Sequence, residues 1–138
     1  MIVIDGTNLI LGRLATHVAK KALLGETVSV INCEKTVISG EKKEILARYR
    51  QKRERGAPLV GPYVPRQSER LVKRTIRGML PYKQPKGREA FKRVLCYKTI
   101  PKELQDKKAE TIKEADISKV VHAKYLTMKD VCAFLGGK

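Results

Sequence analysis

Two hydrophobic periods alternate within the first thirty-one residues, and together they restrict the chain to one class of fold. Met1 to Ile4 is an unbroken apolar run ending at Asp5 and Gly6, the pattern of a short strand buried on both faces. After a turn through Thr7 and Asn8, residues Leu14, Ala15, Val18, Ala19, Ala22 and Leu23 recur at helical spacing. Arg13, Thr16, Lys20 and Lys21 fall on the other side, and Gly25 stops the helix. Thr27 to Ile31 is rich in β-branched residues and predicts a second strand. Strand, helix and strand in so short a span form a βαβ unit, whose crossover is right-handed in nearly all cases. The expected class is α/β.

Beyond this unit the pattern predicts a short extended piece over Lys35 to Ser39, then a helix from Gly40 to Arg53 with Ser39 as its cap and Ile45, Leu46 and Tyr49 as its apolar stripe. Gly56, Pro58, Gly61, Pro62 and Pro65 impose a loop. Pro65 suits a first helical turn, so a helix is expected from there to Leu80, where Pro81 stops it. Tyr82 to Gly87 is a second Pro/Gly loop, Arg88 to Arg93 a short helix, and Val94 to Tyr97 a strand. Lys102 to Lys119 has little periodicity, so 102–138 is expected to be peripheral, closed by a helix that Thr127 and Asp130 begin and Gly136 ends.

With 138 residues the chain suits one domain spanning 1–138. No window approaches the ~20 apolar residues of a membrane span, and the start lacks the basic and apolar regions of a secretory signal, so a cytoplasmic protein is expected. Cys33, Cys96 and Cys132 are odd in number and form no C-x-x-C pair. They suit reduced, mostly buried thiols better than disulfides or a metal site.

Charge separates scaffold from surface. The net charge is +16, yet residues 1–41 carry four cations and four acids, whereas 42–98 carry eighteen cations and four acids. Arg66, Arg70, Lys73, Arg74 and Arg77 fall at helical offsets that line one face about 16 Å long. Five like-charge pairs on that face meet only Glu69 in compensation, and a face selected for solubility alone would mix signs. Arginine favours phosphate, because its planar fork matches that group with two hydrogen bonds. Arg48, Arg50, Lys52, Arg53 and Arg55 crowd one flank of this helix; Lys83, Lys86, Arg88, Lys92 and Arg93 crowd the other. Tyr49, Tyr63 and Tyr82 interleave with them as candidate platforms for unpaired bases, although core or rim packing is the commoner role of a tyrosine. The pattern predicts a nucleic-acid-binding surface across 42–98.

Catalytic signals are weak. Gly6 to Gly12 follows a strand and precedes a helix but fits neither phosphate-loop spacing, and its Leu9, Ile10 and Leu11 would face the phosphates. His17 and His122 have no cysteine or carboxylate at motif spacing. No enzyme, cofactor, metal or small-molecule substrate is expected. A basic DNA-compacting or regulatory protein is the alternative, and an enzyme acting on nucleotides a distant third.

Three blocks carry a family resemblance: DGTNLILGRLA from Asp5, INCEKTVISG from Ile31, and RTIRGMLPYKQPKGREAFKRVLCY from Arg74 to Tyr97. In this order, as far as about Pro101, the chain resembles the large-subunit ribosomal protein L-thirteen family. The segment RGAPLVGPY from Arg55 looks like the archaeal and eukaryotic branch, and the short ending suggests an archaeal source. The resemblance implies a three-layer α/β/α domain with a four-stranded, largely parallel sheet, plus basic loops and a C-terminal extension. It also implies a structural role in translation: binding large-subunit rRNA beside neighbouring large-subunit proteins during ribosome assembly, with RNA contacts in the block from Arg74 to Arg93.

Overall fold

The computed structural model describes residues 1–121 and 123–137; His122 lies outside them. The βαβ unit is present. Strand β1 (Ile2–Asp5), helix α1 (Leu11–Leu23) and strand β2 (Val28–Ile31) follow one another, and β1 pairs in parallel with β2 in the register Ile2 to Val28. β2 is buried at all four positions because it is the central strand. Further along come β3 (Val37–Ser39), α2 (Lys42–Glu54), α3 (Ser68–Gly78), α4 (Pro85–Lys92), β4 (Val94–Cys96), β5 (Tyr125–Thr127) and α5 (Met128–Phe134). β4 pairs in parallel with the free side of β2, giving the order β1-β2-β4.

Both crossovers step across the sheet in the same direction, so right-handed connections bring their helices to one face. There α1 packs on α3 and α4. Their buried residues Leu14, Val18, Val72, Ile76 and Ala90 meet Ile4, Val28, Val30 and Val94 from the strands. The opposite face is covered differently. Val3 and Ile31 point there and meet Leu104, in a 3-10 turn at Lys102–Leu104, with Tyr97 alongside.

The α/β class with a parallel sheet is as expected, and the correction concerns the four strands expected in that sheet. The parallel sheet has three strands, because β3 leaves it to pair antiparallel with β5 in a separate ribbon. The C-terminal segment also departs from its expected peripheral place. Its course over Lys102–Lys119 is irregular, with short 3-10 turns, but the Glu110 N–H donates to the Val3 carbonyl at 2.8 Å and covers the outer edge of β1. Ala115, Met128, Val131 and Leu135 complete the main core. The Thr127 hydroxyl accepts from the Asp130 N–H at 3.3 Å and begins α5 as expected.

Several boundaries shift. α2 starts at Lys42 with Glu41 at the cap, so Ser39 belongs to β3; α3 starts at Ser68, leaving Arg66 in the preceding loop; and α4 starts at Pro85. The 6–12 loop is filled by its own apolar side chains: Leu9 is fully buried, and the Ile10 N–H donates to the Ala115 carbonyl at 2.8 Å. All three cysteines are free thiols, with Cys33 and Cys132 buried. A hydrogen bond to Cys96, together with burial, pushes the Cys33 thiol far up, and burial raises Cys132 to about 11.

At the C-terminal end of β1, Asp5 Oδ1 accepts from the Thr7 N–H (3.0 Å), the Thr7 hydroxyl (2.7 Å) and the Asn32 side-chain amide (3.0 Å). Burial alone would raise this carboxyl's pKa, but the bonds from Asn32 and Thr7 outweigh burial and hold it below the ordinary value. A depressed folded pKa contributes stability that is present above the unfolded value of about 3.9 and is lost as pH falls through the folded one. Asp5→Ala strands the amide of buried Asn32. The expected cost at pH 7 is about 1 to 3 kcal/mol. Urea unfolding of both proteins should show the gap narrowing below about pH 4.

Candidate nucleic-acid interface

α3 is two-sided. Leu71, Val72 and Ile76 are buried, and Arg70, Lys73, Arg74 and Arg77 lie on the other side. Two of these cations are held by aromatic rings near α4: the Lys73 ammonium lies 5.0 Å from the centre of Phe91, and the Arg77 guanidinium 5.1 Å from that of Tyr82. Arg74 Nη1 donates to the Tyr63 carbonyl at 2.8 Å and ties the 55–66 loop to α3. The result is a groove of about 350 Å³ lined by Tyr63, Pro65, Arg70, Lys73, Arg74, Arg77 and Phe91.

Three further depressions adjoin it. One of about 350 Å³ runs between the end of α2 and the loop, lined by Arg53, Arg55, Tyr63, Val64 and Arg66 among others. A second, of about 240 Å³, is walled by Tyr49, Lys52, Val64 and Arg74. The last, of about 490 Å³, takes in Arg50, Arg53 and Glu54 with Phe134 and Leu135 of the C-terminal helix. Tyr63, Val64, Arg74 and Arg53 are each shared by neighbouring depressions, so the four form one continuous band.

Nine sequence-derived candidates come together in this band: Arg50, Lys52, Arg53, Arg55, Arg66, Arg70, Lys73, Arg74 and Arg77. Of these nine, only Arg50 has an ion-pair partner among the described residues, Glu54 at 2.9 Å. Arg53 Nη1 donates to the Leu135 carbonyl at 2.6 Å, supporting the end of α5. Among the described residues, no carboxylate lies within ion-pair distance of the other eight.

Six candidates lie outside these four depressions. Arg48, Lys83, Lys86, Arg88 and Lys92 are exposed. Arg88 Nη2 donates to the Lys83 carbonyl at 3.3 Å. Arg93 turns inward, donating to the Ala22 carbonyl at 3.4 Å and lying 3.9 Å from Glu89, where it meets the C-terminal end of α1.

The aromatic residues divide. Tyr63 is exposed between two depressions, while Tyr49 is half-buried with its phenol pushed up by burial and Lys52 5.2 Å above its ring. Phe91 is half-buried, packing on the main core while also forming a wall of the groove. Its signal was the run Phe91-Lys92-Arg93, an aromatic residue inside a basic stretch. Among the described residues no cluster of three His, Cys, Asp or Glu could hold a metal ion, and no helix is long and apolar enough to cross a membrane.

Comparison with known proteins gives this surface a context. The family model described as Ribosomal protein L13 matches residues 1–103. The chain is 47% identical over 139 residues to large ribosomal subunit protein uL13 of Methanosarcina barkeri, an alignment covering 100% of this chain and 99% of that protein. It is 45% identical over 135 residues to the uL13 of Archaeoglobus fulgidus, covering 97% of this chain and 86% of that one. For Methanocaldococcus jannaschii the figures are 44% over 142 residues, with 100% and 99% covered. The resemblance in the first hundred residues thus extends, in these relatives, through the C-terminal third that completes the core, and the chain belongs to the ribosomal protein L13 family.

Proposed function

We propose that this chain is a structural constituent of the large ribosomal subunit, working in the cytoplasm as one folded unit over 1–138. It binds large-subunit rRNA, and its neighbours are other proteins of that subunit. The observation that carries the reading is the continuous band of nine cations with a single carboxylate pair. Such a band lowers the free energy of a phosphate backbone by releasing its counterions, and a self-repelling surface becomes a stable one once RNA covers it. The role is architectural: an α/β body holds α3, the end of α2 and the 55–66 loop rigidly enough to favour one RNA shape over others, which supports early subunit assembly. No step of this function needs a cofactor or a small-molecule substrate.

The test compares folded large-subunit rRNA with duplex DNA of similar length at matched salt. Both affinities fall steeply with salt, but shape recognition leaves a preference. The expected result is rRNA binding about a hundredfold tighter or more, in line with typical specificity ratios. Equal affinity for the two would support a DNA-compacting protein instead.

A further inference from the structure

The loop between α2 and α3, beside the depression lined by Arg53, Arg55 and Arg66, carries a feature that phosphate binding leaves unused. Leu59 is 92% exposed and Val60 82%, and among the described residues they are the only consecutive pair of exposed large apolar side chains. Single exposed aliphatic residues are ordinary, whereas a contiguous pair at a loop tip marks a contact. This tip is braced. The Ala57 carbonyl accepts from the N–H groups of Val60 (3.2 Å) and Gly61 (3.1 Å), and the Tyr63 hydroxyl donates to the Leu59 carbonyl at 2.6 Å. Arg74 in turn holds the Tyr63 carbonyl against α3. At the base, Gly56 has a φ of +79°, and a Cβ there would collide with the Gly61 carbonyl, so the two arms touch backbone to backbone. The loop holds its two aliphatic side chains outward at little further ordering cost on binding.

Whatever covers the tip must also face Arg53, Arg55 and Arg66, which line the depression at its base. The one carboxylate there, Glu54, is engaged by Arg50. An apolar protein pocket would leave these cations without counter-charge, whereas a nucleic acid offers an apolar base face and, one nucleotide away, phosphates. We infer that the Leu59-Val60 tip is an apolar wedge that packs against an unpaired or bulged base of the bound RNA, with Arg55 and Arg66 on the adjoining phosphates. This inference rests on the RNA reading above and adds the class of RNA element recognised. The wedge favours a base already out of a helix, because intact stacking would have to be broken first.

The chain contains no tryptophan, so Leu59→Trp places a sole indole at the tip. The variant is bound to protein-free large-subunit rRNA, with complex formation followed separately by filter retention. Stacking on a base should quench the indole emission about twofold or more and protect it from acrylamide. In parallel, the double change Leu59→Ser and Val60→Ser should weaken binding about tenfold, the loss expected for two partly desolvated aliphatic side chains. The dependence of log affinity on log salt should stay unchanged, since no charge is removed. Unchanged emission in a complex that has formed overturns the wedge and leaves RNA binding standing. Emission that changes only after the other large-subunit proteins are added also overturns it, in favour of a protein pocket. If the unsubstituted chain does not bind this rRNA at all, the RNA reading falls and the wedge falls with it.

Discussion

Replacing Gly87 by alanine should lower the thermal midpoint by roughly 8 to 15 °C, the equivalent of about 2 to 4 kcal/mol. Gly87 is buried in α4, and a Cβ at this position would fall on the Pro81 carbonyl, which is main chain and cannot rotate away. Relief requires α4 to move as a body away from the turn that ends α3. Phe91, on α4, would then part from Lys73, so the same change should also weaken rRNA binding. Gly12→Ala is the control. Gly12 lies in α1 with open space around its Cβ direction, and alanine there should raise stability by roughly 0.5 to 1 kcal/mol. Melting curves of the two variants followed by circular dichroism decide the point; equal midpoints would show that α4 is not held by this close approach.

The elements legible in the sequence are those whose periodicity is local. β1, α1 and β2 announce themselves because the switch from a continuous apolar run to helical spacing and back takes place within each element's own residues. The β3-β5 ribbon does not. Tyr125–Thr127 is three residues long, and its partner lies almost ninety positions earlier, so no window contains the pattern that stabilises it. Pro85 was a readable start for α4, since proline suits the first helical turn, but Gly87 beside it argued for a loop. The tertiary reason for that glycine is the Pro81 carbonyl, a contact no local reading supplies. At α3 the same proline rule misled in the other direction, because the chain stays extended past Pro65 and Gln67 takes the cap position.

Within the interface, charge density was legible and its division of labour was not. Arg93 and Arg77 look alike in sequence, yet one donates to the end of α1 and the other lines the groove beside Tyr82. That difference depends on which helix end or aromatic ring the fold brings within reach. The exposed Leu59 and Val60 were hidden for the opposite reason: two aliphatic residues in a sequence read as core candidates until the backbone around them is known to turn them outward.

The largest functional effect is expected from Arg70→Glu, Lys73→Glu and Arg77→Glu combined, which should reduce affinity for large-subunit rRNA by about 3 to 6 kcal/mol, or roughly 10²- to 10⁴-fold. Arg74 is left in place because it anchors the 55–66 loop. The three altered residues lie on the α3 groove and none has an ion-pair partner among the described residues, so reversal replaces three sites of attraction by three of repulsion without opening an internal salt bridge. Each lost phosphate contact should also flatten the slope of log affinity against log salt by about 0.7 to 0.9, and the triple variant by about 2 to 3. Net charge alone predicts a smaller loss that does not depend on position. Lys102→Glu, Lys107→Glu and Lys108→Glu change the charge by the same amount at exposed positions outside the band. That control should lose about tenfold or less, through the general field. Far-UV circular dichroism should be unchanged for both variants. Equal losses from the two triples would mean that the RNA senses only total charge, and the groove on α3 would have no special place in recognition.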